Sequence, residues 1–405
     1  MSTASRLPFL NGVYIAVDAV DGAFLIVDGP YCVFTKAEMQ YGHNLRCRLL
    51  PPLGRPRVVH TAMKTGMEEV TSLSLDRRAS VAKLFTEVCG FAEAKAVLTT
   101  SFDFHQLLNF PLADIAAEAA AGSGKLVCHI PSASLGGDWL EGYGRACAAL
   151  AEKIPLHRGR ARKDAVAIVG YLCDRQEPDH VGNLKELRRL LGALGLDLAS
   201  VWLSGQGLPQ LQAVERASVI LSFPYARQAA RTLAARLRAR VVEAPLPVGL
   251  AGTERFLTVV GDALKRAEPA RRCAAREARS AMRDTEAHVW RLLRGRAACL
   301  QPLPDPHLRG ALAGLCADLG LRLVDAPAAG EVSLLIGSLM GDQPGVAFIP
   351  IHFGYPNFVD HPVLEKPFMG FSGFRQWVDR LSAAVMQFEA DHPAGGSDGA
   401  GKEAA

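Results

Sequence analysis

The sequence predicts an α/β protein of three units, each a mainly parallel sheet covered by helices. Apolar runs of strand length alternate with helical patterns through almost the whole chain, and such alternation calls for parallel strands with helices on both faces. The 405 residues exceed one ordinary core, so two or three domains are expected. A composition of 49% hydrophobic and 21% charged residues is that of a folded globular protein.

The first unit, residues 1–160, is organised around Ala23 to Thr65. The strand AFLIVDG empties into GPYC, so that Cys32 stands just past a Gly-Pro turn. RVVHT, Arg57 to Thr61, is a second strand and opens into MKTGMEEVTSL. Strand ends that deliver such residues into loops are where open α/β sheets place ligands. The Cys32 thiol there is open to three readings: metal or cluster ligand, reactive cysteine, or packing. A helix from about Asp76 to Phe91 follows, with Val81, Leu84, Phe85 and Val88 at helical spacing. Then come the strand AKAVLTTS, a helix over about Pro111 to Ala121, the strand KLVCHIP, the Gly-rich turn LGGDWLEGYG and a helix ending near Ile154. HRGRARKD, His157 to Asp164, reads as a basic linker and sets the first boundary near Arg160.

The second unit, residues 161–270, starts with DAVAIVGYL at Asp164. Its helix GNLKELRRLLGALG carries Leu184, Leu187, Leu190, Leu191 and Leu194 as one core-facing stripe. LASVWLSG, a helix over Leu208 to Ser218, SVILSFP, a helix over Arg227 to Arg238, RVVEAPLPVG and the helix TERFLTVVGDALKRA complete it. A charged helix from about Arg271 to Leu293 bridges to the third, short unit, residues 271–390. That unit has a strand near Ala298, a helix over His307 to Leu319, the strands LRLVDA, VSLLIG and GVAFIPI, and a helix from Phe374 to about Ala390. The Gly-, Ala- and charge-rich tail, residues 391–405, is expected to be disordered.

Composition also excludes function classes. A net charge of +4 on a chain of this length, without aromatic interleaving of the basic residues, does not point to nucleic acid. Nine cysteines, an odd number without a framework, fit a reducing compartment. No run reaches the roughly 18 apolar residues of a membrane span and no signal segment is visible, so a soluble cytoplasmic protein is expected. There is no Walker A loop, no GxGxxG opening a helix, no HExxH and no CxxC. GSGK, Gly122 to Lys125, falls at the wrong end of a helix for a phosphate cradle. LGGDWLEG reads as a plain turn ahead of its helix, and His105, His129, His352 and His361 as scattered histidines, not ligands.

The order of these segments resembles the nitrogenase component 1 family, which includes the nitrogenase subunits, their cofactor-assembly scaffold and the light-independent protochlorophyllide and chlorophyllide reductases. VDGPYC is similar to the family's His-Gly-Pro-x-Gly-Cys turn, with Asp28 in the histidine position and Cys32 in the cysteine position. HTAMKTGMEEVTSL, AKAVLTTS followed by LLNFPLADI, and the closing GYPNFVDHP and PFMGFSGF resemble further family segments in the same order. The resemblance implies three Rossmann-like parallel-sheet units around a central cleft.

It also implies an iron–sulfur cluster at a subunit interface, held by cysteines. Of the three cysteines that members usually supply, this chain matches Cys32 alone. Arg6 to Asn11 and Ser101 to Gln106 contain none, so Asp103, His105 or Asp18, a second copy or a cysteine-rich partner would have to complete the shell; otherwise the site has decayed. Cys47 is a weaker candidate. The positions of the cofactor cysteine and histidine are held by Phe223 and Met369, which disfavours an iron–molybdenum cofactor and dinitrogen reduction.

Three functions follow from the resemblance. One is a subunit of a nitrogenase-like oxidoreductase that takes electrons from an ATP-dependent iron protein docked near Gly29 to Cys32. It would pair with a second copy or a related component 1 subunit, and reduce a tetrapyrrole or other organic substrate between its units. The second is a non-catalytic partner or assembly-scaffold paralogue. The third is a cleft-type small-molecule binding protein without redox chemistry.

Overall fold

Alternating strands and helices leave few ways to bury both faces of a sheet, and this chain uses the same solution three times. The computed structural model describes residues 7–29, 57–61, 75–102, 110–132, 136–172, 178–326, 330–338, 348–355, 357 and 364–393. The first segment runs α1 (Phe9–Asp18), β1 (Val20–Asp21), β2 (Ala23–Asp28), β3 (Val58–His60), α2 (Leu75–Gly90), β4 (Ala96–Ser101), α3 (Leu112–Ser123), β5 (Leu126–His129) and α4 (Trp139–Lys153). The second runs β6 (Arg162–Val169), α5 (Pro178–Ala193), β7 (Asp197–Val201), β8 (Gln206–Gly207), α6 (Leu208–Gln212), β9 (Ala217–Ser222), α7 (Arg227–Leu237), β10 (Arg240–Glu243) and α8 (Gly249–Ala263). After α9 (Ala267–His288) the third comprises β11 (Ala297–Cys299), α10 (Pro306–Asp318), β12 (Arg322–Leu323), β13 (Ser333–Gly337), β14 (Phe348–His352) and α11 (Gly370–Asp391).

The three four-stranded sheets are parallel, with orders β3-β2-β4-β5, β10-β9-β6-β7 and β12-β11-β13-β14. Counted within each sheet, every one has the order second, first, third, fourth. The chain therefore reverses direction beside the first strand of each sheet, and a crevice opens there at the carboxyl ends of the strands. A two-residue parallel pairing of β1 with β8 ties the first segment to the second.

Burial follows the predicted faces. Val81, Leu84, Phe85 and Val88 of α2 are buried, and so are Leu187, Leu190 and Leu191 of α5 and Leu194 just past its end. One continuous core runs through all three sheets, and a smaller one lies under α2 and α3 around Phe24, Ile26, Phe85 and Ile115.

Several elements differ from the sequence expectation. Helix α1 has no amphipathic stripe to betray it, because every residue from Phe9 to Val17 is buried. It crosses α4 at backbone contact: a Cβ on Gly12 would lie 1.6 Å from the Trp139 carbonyl oxygen, and one on Gly142 2.0 Å from that of Phe9. The helix expected over Leu208 to Ser218 stops at Gln212, becomes a 3₁₀ turn over Ala213–Arg216, and yields Ala217 and Ser218 to β9, where pairing with β6 draws them into the sheet. LRLVDA supplies only the two-residue edge strand β12. Helix α11 begins at Gly370, four residues before the expected Phe374. The bridging helix starts at Ala267 and ends in a π-helical turn over Val289–Leu293.

HRGRARKD is a connection only as far as Ala161, since Arg162 to Asp164 already begin β6. Glu215 pins it, accepting the His157 amide at 2.9 Å and pairing with Arg160 at 2.6 Å. Burial pushes the Glu215 carboxyl up, but those hydrogen bonds outweigh it and hold the group below its usual range. GSGK holds Gly124 at φ 66° as the left-handed cap of α3, and in LGGDWLEG the Asp138 carboxylate caps α4 through the Glu141 amide at 3.0 Å. GSGK thus lies at the carboxyl end of α3, as expected, whereas the second half of LGGDWLEG, Trp139 to Gly142, already belongs to α4.

Candidate functional site

The carboxyl ends of β2, β3 and β4 build the first crevice. Asp28, which has no exposed surface, accepts a hydrogen bond from the Thr61 hydroxyl at 2.9 Å and pairs with the Arg77 guanidinium. Thr61 Oγ1 in turn accepts the Gly29 amide at 3.2 Å, and Arg77 stacks over the Phe110 ring at 3.8 Å. A Cβ on Gly29 would stand 2.7 Å from Phe102 Cβ, so the crevice is closed tightly around that glycine. Beside it the Tyr14 hydroxyl lies 3.4 Å from His60 Nε2, and burial pushes this tyrosine well above its ordinary range. Asp28 thus anchors the strand end that precedes Cys32 in the sequence.

Cys32, Cys47, Asp103 and His105 lie outside the described residues. Asp18 ends α1 and sits 3.5 Å from Arg57, which also donates to the carbonyls of Val17, Val20 and Ala23. His129 is half-buried, with burial lowering its pKa and favouring the neutral ring; His361 lies outside the described residues. Cys89, Cys128, Cys147, Cys273, Cys299 and Cys316 are free and buried. Burial pushes Cys128, Cys147 and Cys316 up to about 12, which keeps them protonated packing groups. Among the described residues no three His, Cys, Asp or Glu side chains are grouped to hold a metal. An iron–sulfur cluster therefore finds no ligand set in the described part of the chain.

One signal in the sequence was open to reading and went unread. Gly29 and Gly170 follow the first strands of the first two sheets, and each is followed three positions later by a cysteine, Cys32 and Cys173. Cys173 too lies outside the described residues.

The second crevice, between β6 and β9, is filled by the chain itself. A Cβ on Gly170 would lie 2.8 Å from the Phe223 carbonyl oxygen. Phe223, at the resemblance's cofactor-cysteine position, is fully buried with its ring 6.1 Å from that of Phe256. Met369, at the histidine position, precedes α11 and is 4% exposed. The amides of Phe368 and Met369 donate to Asn183 Oδ1 at 2.9 and 3.0 Å. One turn along α5, Glu186 accepts the Ser372 amide at 3.1 Å and its hydroxyl at 2.8 Å. Burial raises the Glu186 carboxyl, but Arg189 and Ser372 outweigh that and leave it below its usual range. The amino end of α11 is thus already occupied by a carboxylate of this chain. The donor set does not fit an iron–molybdenum cofactor: neither metal anchor is present, and packing and capping occupy both positions.

Next to this capped helix end an open cleft of about 190 Å³ remains. Phe353, Phe368 and Trp377 wall it, with Asp179, Lys366 and Arg380 at its edges. Phe353 and Trp377 meet edge to face at 4.7 Å, and the Arg380 guanidinium lies 5.6 Å from the Phe353 ring centre. Behind Asp179 the buried Tyr171 hydroxyl and His180 Nδ1 share a hydrogen bond of 2.9 Å, and His180 Nε2 is 3.8 Å from Asp179 Oδ1. A flat ligand with an acidic group suits such walls. The sequence hides this cleft because its parts come from three distant segments.

No helix among the described residues is long and apolar enough to cross a membrane. No curated protein matches the sequence at a significant level. A solved structure described as nitrogenase Cp1 at pH 6.5 superimposes with a TM-score of 0.73 over 98% of this chain and 96% of that one, at 13% identity. A second, nitrogenase Cp1 at pH 5, gives a TM-score of 0.62 over 95% of this chain and 88% of that one, at 12% identity. At those identities the likeness speaks to fold. The sequence profile of the nitrogenase component 1 type oxidoreductases matches residues 10–327, most of the chain. By that match the chain belongs to the nitrogenase component 1 type oxidoreductase family.

Proposed function

We propose that this chain is a subunit of a nitrogenase-like reductase whose substrate is organic, and that it pairs with a second copy or a related component 1 subunit. An ATP-dependent iron protein is the electron donor in this reading, since the chain has no phosphate-binding loop of its own. The observation that favours an organic substrate is the contrast at α11. The two metal-anchor positions, Phe223 and Met369, are engaged in packing and capping, while the aromatic cleft beside them stays open. There the half-buried Phe368 would face an organic ring, Arg380 and Lys366 would hold an acidic group, and Asp179 with His180 and Tyr171 a proton for transfer. Two further readings remain. A non-catalytic partner or scaffold is favoured by the absence of a ligand set among the described residues; a binding protein with a cleft needs no metal at all.

The test is anaerobic purification with and without the products of neighbouring genes, an iron assay, and ATP-dependent reduction of a dye or tetrapyrrole. Cys32→Ser should remove most cluster absorption if Cys32 is a ligand; unchanged iron in that variant would eliminate it and move attention to Cys47. An iron-free monomer that recruits no reductase would refute the reductase reading and leave the binding protein.

A further inference from the structure

We propose that a second groove, between the second and third sheets, binds a small organic molecule that carries two oxyanion groups. This site is independent of the reductase reading. The groove has a volume of about 450 Å³ and lies at the carboxyl ends of β9 and β10, marked by Ser222 and Glu243. That is the edge on which parallel α/β sheets present ligands. One side is formed by α8 at Gly252 and Arg255, the other by α10 at His307, Gly310 and Gly314.

Its charge balance favours an anion. Arg227 and Arg231 share the single carboxylate of Glu243, at 3.5 and 3.2 Å. Arg255 makes no ion pair or hydrogen bond among the described residues. Asp318, which accepts the Leu250 amide at 2.6 Å at the start of α8, is not part of the groove lining. His307 adds an imidazole, steadied by edge-on contact with Tyr225 at 5.4 Å, and Tyr225 is itself held by its hydroxyl to Asp305 at 2.6 Å. Arginine is well suited to planar carboxylate and phosphate groups because its donors form a fork.

The shape gives the second argument. Gly310 and Gly314 are one turn apart inside α10, where glycine weakens a helix. No neighbour demands them, since a Cβ on either would meet nothing within 4 Å. The open face they leave lies along the groove, opposite Arg255, and gives a ligand access to the helix backbone. Pro224, Pro245 and Leu246 supply apolar surface for its carbon body.

The oxyanions can belong to a dicarboxylate or to a phosphate compound, and calorimetric titration of the full chain with succinate and with pyrophosphate separates the two. Saturable one-to-one binding of either probe is expected, weakened at least tenfold by Arg255→Ala and abolished by Gly314→Leu. The leucine replaces a helix-interior glycine with open space around it, so the melting temperature should hold or rise and loss of binding cannot be ascribed to unfolding. Binding of succinate alone assigns a carboxylate ligand, and of pyrophosphate alone a phosphate. Absence of binding by both at millimolar concentration, or equal affinity in wild type and both variants, would overturn the proposal.

Discussion

Asp28→Ala tests whether the first strand end is held by its buried ion pair. The substitution leaves the Arg77 guanidinium, 5% exposed and covered by Phe110, without its anion, and leaves the Thr61 hydroxyl without its acceptor. Removing one member of a buried pair costs about 3–5 kcal/mol, because the other charge stays desolvated. That is a large share of a total stability of about 5–15 kcal/mol. At about 1.4 kcal/mol per factor of ten, it corresponds to two to four orders of magnitude in the opening equilibrium of this strand. Amide hydrogen exchange of Leu25 to Val27 reads that opening directly, whereas a melting temperature would average over three sheets. A double variant, Asp28→Leu with Arg77→Leu, should recover most of the lost protection, since apolar replacement of both partners removes the stranded charge. Protection within threefold of wild type in Asp28→Ala, or a double variant no better than the single, would refute the reasoning.

Other outcomes can be checked separately. Burial holds the Asp305 carboxyl above its ordinary 3.8, so the native state keeps that proton longer than the unfolded chain, and stability falls as pH rises from there through the raised native value. Asp305→Asn, which keeps a capping oxygen, should flatten this slope in urea titrations run upward from the ordinary carboxylate range; a slope as steep as wild type would exclude Asp305 as its source. Gly12→Ala forces a methyl against the Trp139 carbonyl of α4, where backbone cannot yield, and should cost about 1–3 kcal/mol by denaturant titration. Glu215→Gln weakens the hold on Arg160 and should speed tryptic cleavage between Arg158 and Arg162 severalfold, without a matching gain at the exposed arginines of α9.

The fold was legible in the chain wherever a stripe of side chains reported a face. The valines and leucines of α2 and α5 gave those helices, and AFLIVD, AIV and VILS gave the central strands. Helix α1 escaped because it is buried on all sides, so its sequence has no period to detect. The short helix before β9 was overextended because Ala217 and Ser218 suit either element, and pairing with β6 decided the matter. At the site, the resemblance picks out Phe223 and Met369 by position alone. That Asn183 and Glu186 hold the start of α11 could not be foreseen, since they reach it from more than 180 residues away. Contacts of that range leave no local trace in composition or periodicity.

That same long-range latch has a consequence for how the protein is made. Helix α5 emerges from the ribosome well before the residues that satisfy Asn183 and Glu186, since Phe368 follows Asn183 by 185 residues. Until they arrive, Asn183 Oδ1 lacks the amides it accepts from, and Glu186 has Arg189 but not Ser372. The first sheet can settle as it is translated, because its pairings are closed within its own segment. The second is not sealed until Phe368 to Ser372 have been delivered, so its closure waits on the third segment, and a premature stop upstream of Phe368 leaves it open.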